Sequence, residues 1–207
     1  KQKLWQRQDV DGTKMKKIVL AFSGGLDTSF CVPYLIDKGF EVHTIFVNTG
    51  GITKNIEKQI SNKSKKLGAK KHHSVNVETK LWQQILTPLI WSGSLYQGKY
   101  PVLCSDRYLI VSEAVNLCNK LKTNLIAHGC TGMGNDQVRF DMSIKALGNY
   151  EIVSPIREIQ AKVSDVRNYE IDFLKGRGHT ISSSLSRDSL KETRLGVTIS
   201  GSELDKW

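Results

Sequence analysis

The sequence predicts an α/β fold, a parallel five-stranded sheet with helices on both faces, followed by the start of an incomplete second domain. Three observations predict it. Short apolar runs alternate with stretches of helical periodicity, the pattern of parallel strands joined by crossover helices. Gly39 and Gly68 stand just past the first two helical stretches, where C-caps belong. The string SGGLDTS, Ser23 to Ser29, joins an apolar run (Ile18 to Phe22) to an apolar helical pattern, the strand–loop–helix order of an anion-binding turn.

In chain order, the expected strands are 17–22, 41–47 (EVHTIFV), 73–77 (HSVNV), 123–128 (TNLIAH) and 150–154 (YEIVS), each a short apolar run. The expected helices are 28–38, 53–67, 78–91, 106–120, 135–147 and 160–175. Right-handed crossovers put helices on both faces. The loops at 23–29, 48–51 and 129–135 then open on one edge, where such sheets bind ligands. Residues 1–16 read as a basic flexible tail and 17–157 as the main domain. Beyond 157 the alternation stops. A charged helix leads into a Ser-rich stretch, 182–189, and then LGVTISGSELDKW. Residues 158–207 therefore read as the beginning of a truncated second domain.

The 207 residues, 39% hydrophobic, suffice for one good core. No run approaches about eighteen apolar residues and the basic N-terminus lacks a signal-peptide core, so no membrane role is expected. Cys31, Cys104, Cys118 and Cys130 show no C-x-x-C spacing, against zinc and redox pairs. Dispersed cysteines suit the reducing cytoplasm. The net charge of +10 suggests nucleic acid until it is located. Residues 1–17 carry six Lys/Arg against two Asp, residues 52–73 carry seven Lys against one Glu, and the remainder balances. The excess lies in a terminal tail and one surface helix without interleaved aromatics, a solvated face more than a nucleic-acid groove.

The SGGLDTS segment is built like a phosphate cradle. Loop N–H groups converge on an anion and the helix N-terminus adds its positive end. Gly24 and Gly25 allow close approach; Ser23, Thr28 and Ser29 offer hydroxyls; Asp27 could hold magnesium or cap the helix. No Gly-Lys-Ser/Thr occurs in the chain and no G-x-G-x-x-G is present here, which excludes the common ATP-binding loop and the dinucleotide fingerprint. A second glycine-rich loop follows the fourth strand: His128 to Phe140, HGCTGMGNDQVRF. Asn135 and Asp136 fall where helix caps belong. Asp136 could also accept from an ammonium group, and Arg139, one turn on, could fork onto a carboxylate. Together they suit a zwitterionic amino acid. His128 reads as structural in preference to a general base.

The first loop resembles the pyrophosphate loop of the N-type ATP pyrophosphatases, and LAFSGGLDTS resembles that of the argininosuccinate synthase family. HGxTGxGNDQVRF is similar to the same family's hallmark segment, and YPVLCSDRY, PIREIQ and LGVTISGSELDKW also resemble it. The likeness covers about 17–207, roughly the N-terminal half of a family member. The resemblance implies an adenine nucleotide α-hydrolase-like fold, with 17–157 as the ATP-binding domain and 158–207 as the start of the synthetase domain. It implies ATP on Ala21, Phe22, Ser23, Gly24, Gly25, Leu26, Asp27, Thr28 and Ser29, with Val47 and Gly129 also touching the nucleotide. Thr131, Asn135 and Asp136 would bind aspartate; Tyr100, Ser105, Asn135 and Arg139 would bind citrulline. Ser189 and Thr198 fall where two late citrulline-contacting hydroxyls belong, although the intervening KETR departs from the family's ENL run.

The implied reaction is ATP-dependent ligation of citrulline and aspartate to argininosuccinate through a citrullyl-adenylate, with Mg²⁺, in a cytoplasmic homo-oligomer (a tetramer at full length). Two alternatives are a tRNA-modifying ATP pyrophosphatase and a truncated nucleotide-binding module without turnover. The 207-residue chain alone is expected to bind ATP and to turn over poorly.

Overall fold

A computed structural model describes residues 15–95, 97–99, 104–132, 134–180, 188–193 and 196–201, the last two stretches as backbone only. Five parallel strands, β1 (Lys16–Ala21), β2 (Phe40–Asn48), β3 (Lys71–Asn76), β4 (Leu125–Ala127) and β5 (Glu151–Val153), form one sheet in the order β3-β2-β1-β4-β5. All five expected strands are present within a few residues of their expected limits. Strand order grows outward from β1 to β3 and then reverses, so β1 and β4 flank the switch point. Their C-terminal loops open there, as α/β sheets require of a binding crevice.

Alternation along β1 explains the two-faced core. Ile18 and Leu20 face one side and pack with helix α1 (Leu26–Asp37) through Leu26, Phe30 and Leu35. Val19 and Ala21 face the other, against α5 (Arg107–Leu121) and α6 (Asn135–Leu147) through Leu109, Leu117, Phe140 and Ile144. The basic helix α2 (Lys54–Lys66) exposes most of its face, as its composition predicts. Gly39 and Gly68 take left-handed φ of 85° and 97° after α1 and α2, the C-cap geometry expected of them.

Three expectations change. The helix expected over 78–91 is α3 (Glu78–Leu81), a π-helical turn (Trp82–Leu86) and α4 (Thr87–Ser92). The turn widens just ahead of Pro88, which has no N–H to return to the preceding turn. The helix expected over 160–175 is two helices, α7 (Pro155–Gln160) and α8 (Val166–Lys175). Pro155 opens α7 at its first position, and Asp165 caps α8 by accepting the Asn168 N–H at 3.0 Å. The break expected near residue 157 falls inside α7, and Ile156, Ile159 and Leu174 share the core of α1. Phe173 meets Phe30 edge-on at 4.7 Å. Finally, β6 (Asp188–Thr193) and β7 (Gly196–Gly201) pair antiparallel as a two-stranded sheet where only a Ser-rich stretch was expected. Of the expected tail, residues 1–14 lie outside the described residues and Lys16 already belongs to β1.

A buried polar chain ties β2, α2 and β3 together. Thr44 Oγ1 lies 2.6 Å from Ser64 Oγ and 2.8 Å from His72 Nδ1. Burial, with His73 and Lys65 nearby, pushes the His72 imidazole down to about 4. The unfolded chain binds a proton near pH 6.5 and the folded chain does not until about 4, so stability falls with pH through that window. The slope from one imidazole reaches at most about 1.4 kcal/mol per pH unit. Urea midpoints of the wild-type chain and His72→Asn, measured from pH 7 to pH 4.5, should converge as pH falls. Parallel curves would remove His72 from the acid response.

Candidate active site

The β1 loop turns on Gly24, whose φ of +81° suits glycine alone at low strain. A Cβ there would lie 3.2 Å from Ile60 Cγ1 of α2. Gly25 is the cap residue of α1 and supplies no side-chain cap to the helix's first N–H groups. The expectation that Asp27 caps α1 is thereby corrected: Asp27 sits inside the first turn. Ser23 Oγ accepts the Gly25 N–H at 3.3 Å and lies 3.2 Å from Thr28 Oγ1. Ser29 is buried and donates to the Gly25 carbonyl at 2.6 Å. The side chains of Ala21, Phe22 and Leu26 are buried in the core, leaving only their backbone to a ligand. Val47 is likewise buried near the end of β2, packed with Ala21, Val77 and Leu81.

Two residues that the sequence reading passed over frame this loop. Lys63 of α2 donates from Nζ to the Gly24 carbonyl at 2.6 Å, and burial lowers its pKa. Glu170 of α8 is 1% exposed and hydrogen-bonds to Asp27. Burial, the Asp27 charge and that bond push the Glu170 carboxyl up, so Glu170 is the protonated partner of the pair. Its signal lay in the sequence: an acid on the stripe that also carries Val166, Phe173 and Leu174, where an apolar residue belongs.

The β4 loop abuts the β1 loop. A Cβ on Gly129 would lie 3.0 Å from Thr28 Cγ2, 3.2 Å from Thr28 N and 3.3 Å from the Asp27 carbonyl carbon. Only a glycine lets the loops meet this closely. His128 fixes the strand end: Nδ1 accepts the Cys130 N–H at 3.2 Å, so Nε2 carries the proton and faces Asp141 Oδ1 at 2.9 Å and Ser154 Oγ at 3.2 Å. Burial lowers its pKa. Both ring nitrogens are engaged and the ring is neutral, which favours the structural reading of His128. Gly132 N–H donates to Gln160 Oε1 at 2.6 Å, tying the loop to α7. Thr131 is exposed on the same loop.

Gly134, not Asn135 or Asp136, caps α6, so those two residues stand one position further into the helix than expected. Asp136 meets two guanidiniums: Arg139 Nη1 at 3.1 Å and Arg107 Nε at 3.4 Å. Arg107 also donates to Asp106 Oδ1 at 2.8 Å, and Thr49 Oγ1 donates to Asp106 Oδ2 at 3.4 Å. Burial works against the Arg107 charge, but Asp106 and Asp136 outweigh it and raise its pKa. This buried network joins the β2 loop, the start of α5 and the start of α6. Ser105 lies in the turn before α5, its carbonyl accepting the Tyr108 N–H at 3.4 Å. Tyr100 lies outside the described residues. Ser189 and Thr198 sit on β6 and β7, opposite Ser200 and Lys191.

The fold therefore brings Ser23, Gly24, Gly25, Asp27, Thr28 and Gly129 together at one edge of the sheet, with Asp136 in the first turn of the neighbouring helix and Arg139 one turn into it. Among the described residues no three His, Cys, Asp or Glu side chains form a ready metal cage. Asp27, with Glu170 behind it, is an oxygen donor on the β1 loop's helix start. That suits magnesium, which binds through one or two carboxylates plus phosphate oxygens. No described helix is long and apolar enough to cross a membrane.

Comparison with known proteins agrees with this arrangement. The family model described as "Arginosuccinate synthase N-terminal HUP domain" matches residues 17–180. An argininosuccinate synthase of Xanthomonas axonopodis pv. citri is 50% identical over 192 residues, 93% of this chain and 47% of that protein. One from Methanocaldococcus jannaschii is 35% identical over 190 residues, 90% of this chain and 47% of that protein. A solved structure from M. jannaschii, described as a predicted subunit of tRNA methyltransferase, covers 80% of this chain at 18% identity and a TM-score of 0.47, too loose a likeness to argue from. The chain spans about half the length of the curated relatives it matches. With the SGGLDTS loop meeting the β4 loop at Gly129 and a family match over residues 17–180, the chain belongs to the argininosuccinate synthase family.

Proposed function

We propose that this chain carries the nucleotide-binding half of an argininosuccinate synthase, extending to about residue 180, and that it holds ATP and citrulline side by side at the β1–β4 crevice. The observation that carries this reading is the contact of Gly129 with Thr28 and Asp27, which sets the second loop against the phosphate loop.

The reaction begins when the ureido oxygen of citrulline attacks the α-phosphorus of ATP. The bond from that phosphorus to the bridging oxygen breaks, and pyrophosphate leaves. The α-amine of aspartate, having lost a proton, then attacks the activated carbon and displaces AMP. Positioning and charge stabilisation dominate such transfers. The uncapped N–H groups of α1 and the Ser23 and Thr28 hydroxyls would take the negative charge of the leaving pyrophosphate. Magnesium, held through Asp27 and phosphate oxygens, would neutralise part of that charge. Thr131, Asn135 and Asp136 would orient aspartate, and Ser105 and Arg139 citrulline. The Arg107 bond to Asp136 leaves Arg139 free to turn to a substrate carboxylate without stranding the aspartate side chain. Four free cysteines fit a cytoplasmic location.

Calorimetric titration with ATP, then citrulline, then aspartate tests the reading. Binding of ATP followed by citrulline to the ATP complex is expected. Absence of ATP binding, or ATP binding that responds to tRNA and not to citrulline, would overturn it.

A further inference from the structure

The phosphate loop contains one charged side chain, and it is acidic: between Ser23 and Ser29 there is Asp27 and no Lys or Arg. A triphosphate brought to such a loop meets N–H groups, hydroxyls and a carboxylate. Loops of the Gly-Lys-Ser/Thr type carry their own lysine for this purpose. Here a lysine arrives from another element. Helix α2 lies against the loop at Ile60, whose Cγ1 closes the space beside Gly24. One turn further, Lys63 sets its ammonium 2.6 Å from the Gly24 carbonyl. Among the described residues Lys63 forms no ion pair. Its hydrogen-bond partner is a neutral oxygen, whereas Lys54, Lys58 and Lys65 of the same helix are exposed. A groove of about 90 Å³ continues from this point, lined by Ser29, Lys63, Lys66 and His179 among others.

We propose that Lys63 is the phosphate-binding cation of the β1 loop. Its ammonium passes from the Gly24 carbonyl to the β–γ end of a bound nucleotide and stays with pyrophosphate after the α–β bond breaks. A partly buried ammonium bonded to a carbonyl alone has lost hydration without gaining an opposite charge. An incoming phosphate supplies that charge, and charge-assisted hydrogen bonds are the stronger kind. The helix that composition marks as a solvated basic face thus turns one lysine inward for chemistry. This inference rests on the nucleotide reading of the β1 loop given above.

The test is calorimetric affinity of the 207-residue chain for ATP, inorganic pyrophosphate and AMP, compared across wild type, Lys63→Met and Lys63→Arg. Lys63→Met should weaken ATP and pyrophosphate about tenfold or more while AMP changes less than about twofold. Lys63→Arg, which keeps the charge, should recover much of the loss, and does so even where the methionine variant folds poorly. Equal weakening of all three ligands, which a merely loop-holding lysine would give, overturns the proposal. So does unchanged affinity for ATP and pyrophosphate. A wild-type chain that binds none of the three overturns the nucleotide reading itself.

Discussion

Replacing Arg107 by leucine is expected to destabilise the chain by about 3–5 kcal/mol, the usual consequence of stranding a buried charge. Asp106 is fully buried and Arg107 is 7% exposed. The guanidinium satisfies that carboxylate at 2.8 Å and steadies Asp136 at 3.4 Å. Leucine removes both bonds and leaves the Asp106 carboxylate in a low-dielectric site with its guanidinium gone. Arg107→Lys keeps the charge but not the planar fork that spans two carboxylates, so it should fall between the two. The double variant Asp106→Leu/Arg107→Leu should recover a substantial part of the loss, because the stranded charge leaves with its partner. Urea unfolding of the four chains measures these differences. A loss under about 1 kcal/mol for Arg107→Leu would mean that water already reaches Asp106.

Much of the architecture was legible because it is local. The uninterrupted apolar run Ile18 to Ala21 of β1 and the apolar residues Val42, Ile45, Phe46 and Val47 of β2 mark strands wherever they pair, and Gly39 and Gly68 mark helix ends whatever lies beyond. The strand–glycine–hydroxyl–helix order of the β1 loop is legible without any distant partner. The failures divide by range. Pro155 and the Asp165-to-Asn168 cap are short-range signals that split the helix expected over 160–175, and Gly134 takes the cap position by one residue from Asn135. These were readable and were overridden by the pull of continuous helical periodicity. Lys63, Glu170 and Arg107 were not readable in the same way. Each earns its place by meeting a group 39, 143 and 29 positions away, at Gly24, Asp27 and Asp136, and no periodicity in the local sequence encodes such a meeting. Glu170 alone left a trace, as a carboxylate on an apolar stripe. The order of the strands, which puts β4 beside β1 and so brings the second loop to the first, is likewise a property of the whole sheet.

The two loops meet at Gly129. At 3.0 Å from Thr28 Cγ2 a new Cβ meets a side chain that can rotate away, but at 3.2 Å from Thr28 N and 3.3 Å from the Asp27 carbonyl carbon it presses on backbone. The first turn of α1 cannot withdraw without disturbing Phe30 and Leu35 in the core. Valine, with two further carbons on that Cβ, must therefore force the loops apart. Overpacking of this kind costs about 1–3 kcal/mol, and the displaced turn is the one whose N–H groups are assigned to phosphate. Calorimetric ATP affinity of Gly129→Val, beside the wild-type chain and with urea midpoints for both, is the most direct measurement. Affinity at least about tenfold weaker in a chain that remains folded is the predicted result. Wild-type ATP affinity in a folded Gly129→Val chain would contradict the claim that the two loops build one site.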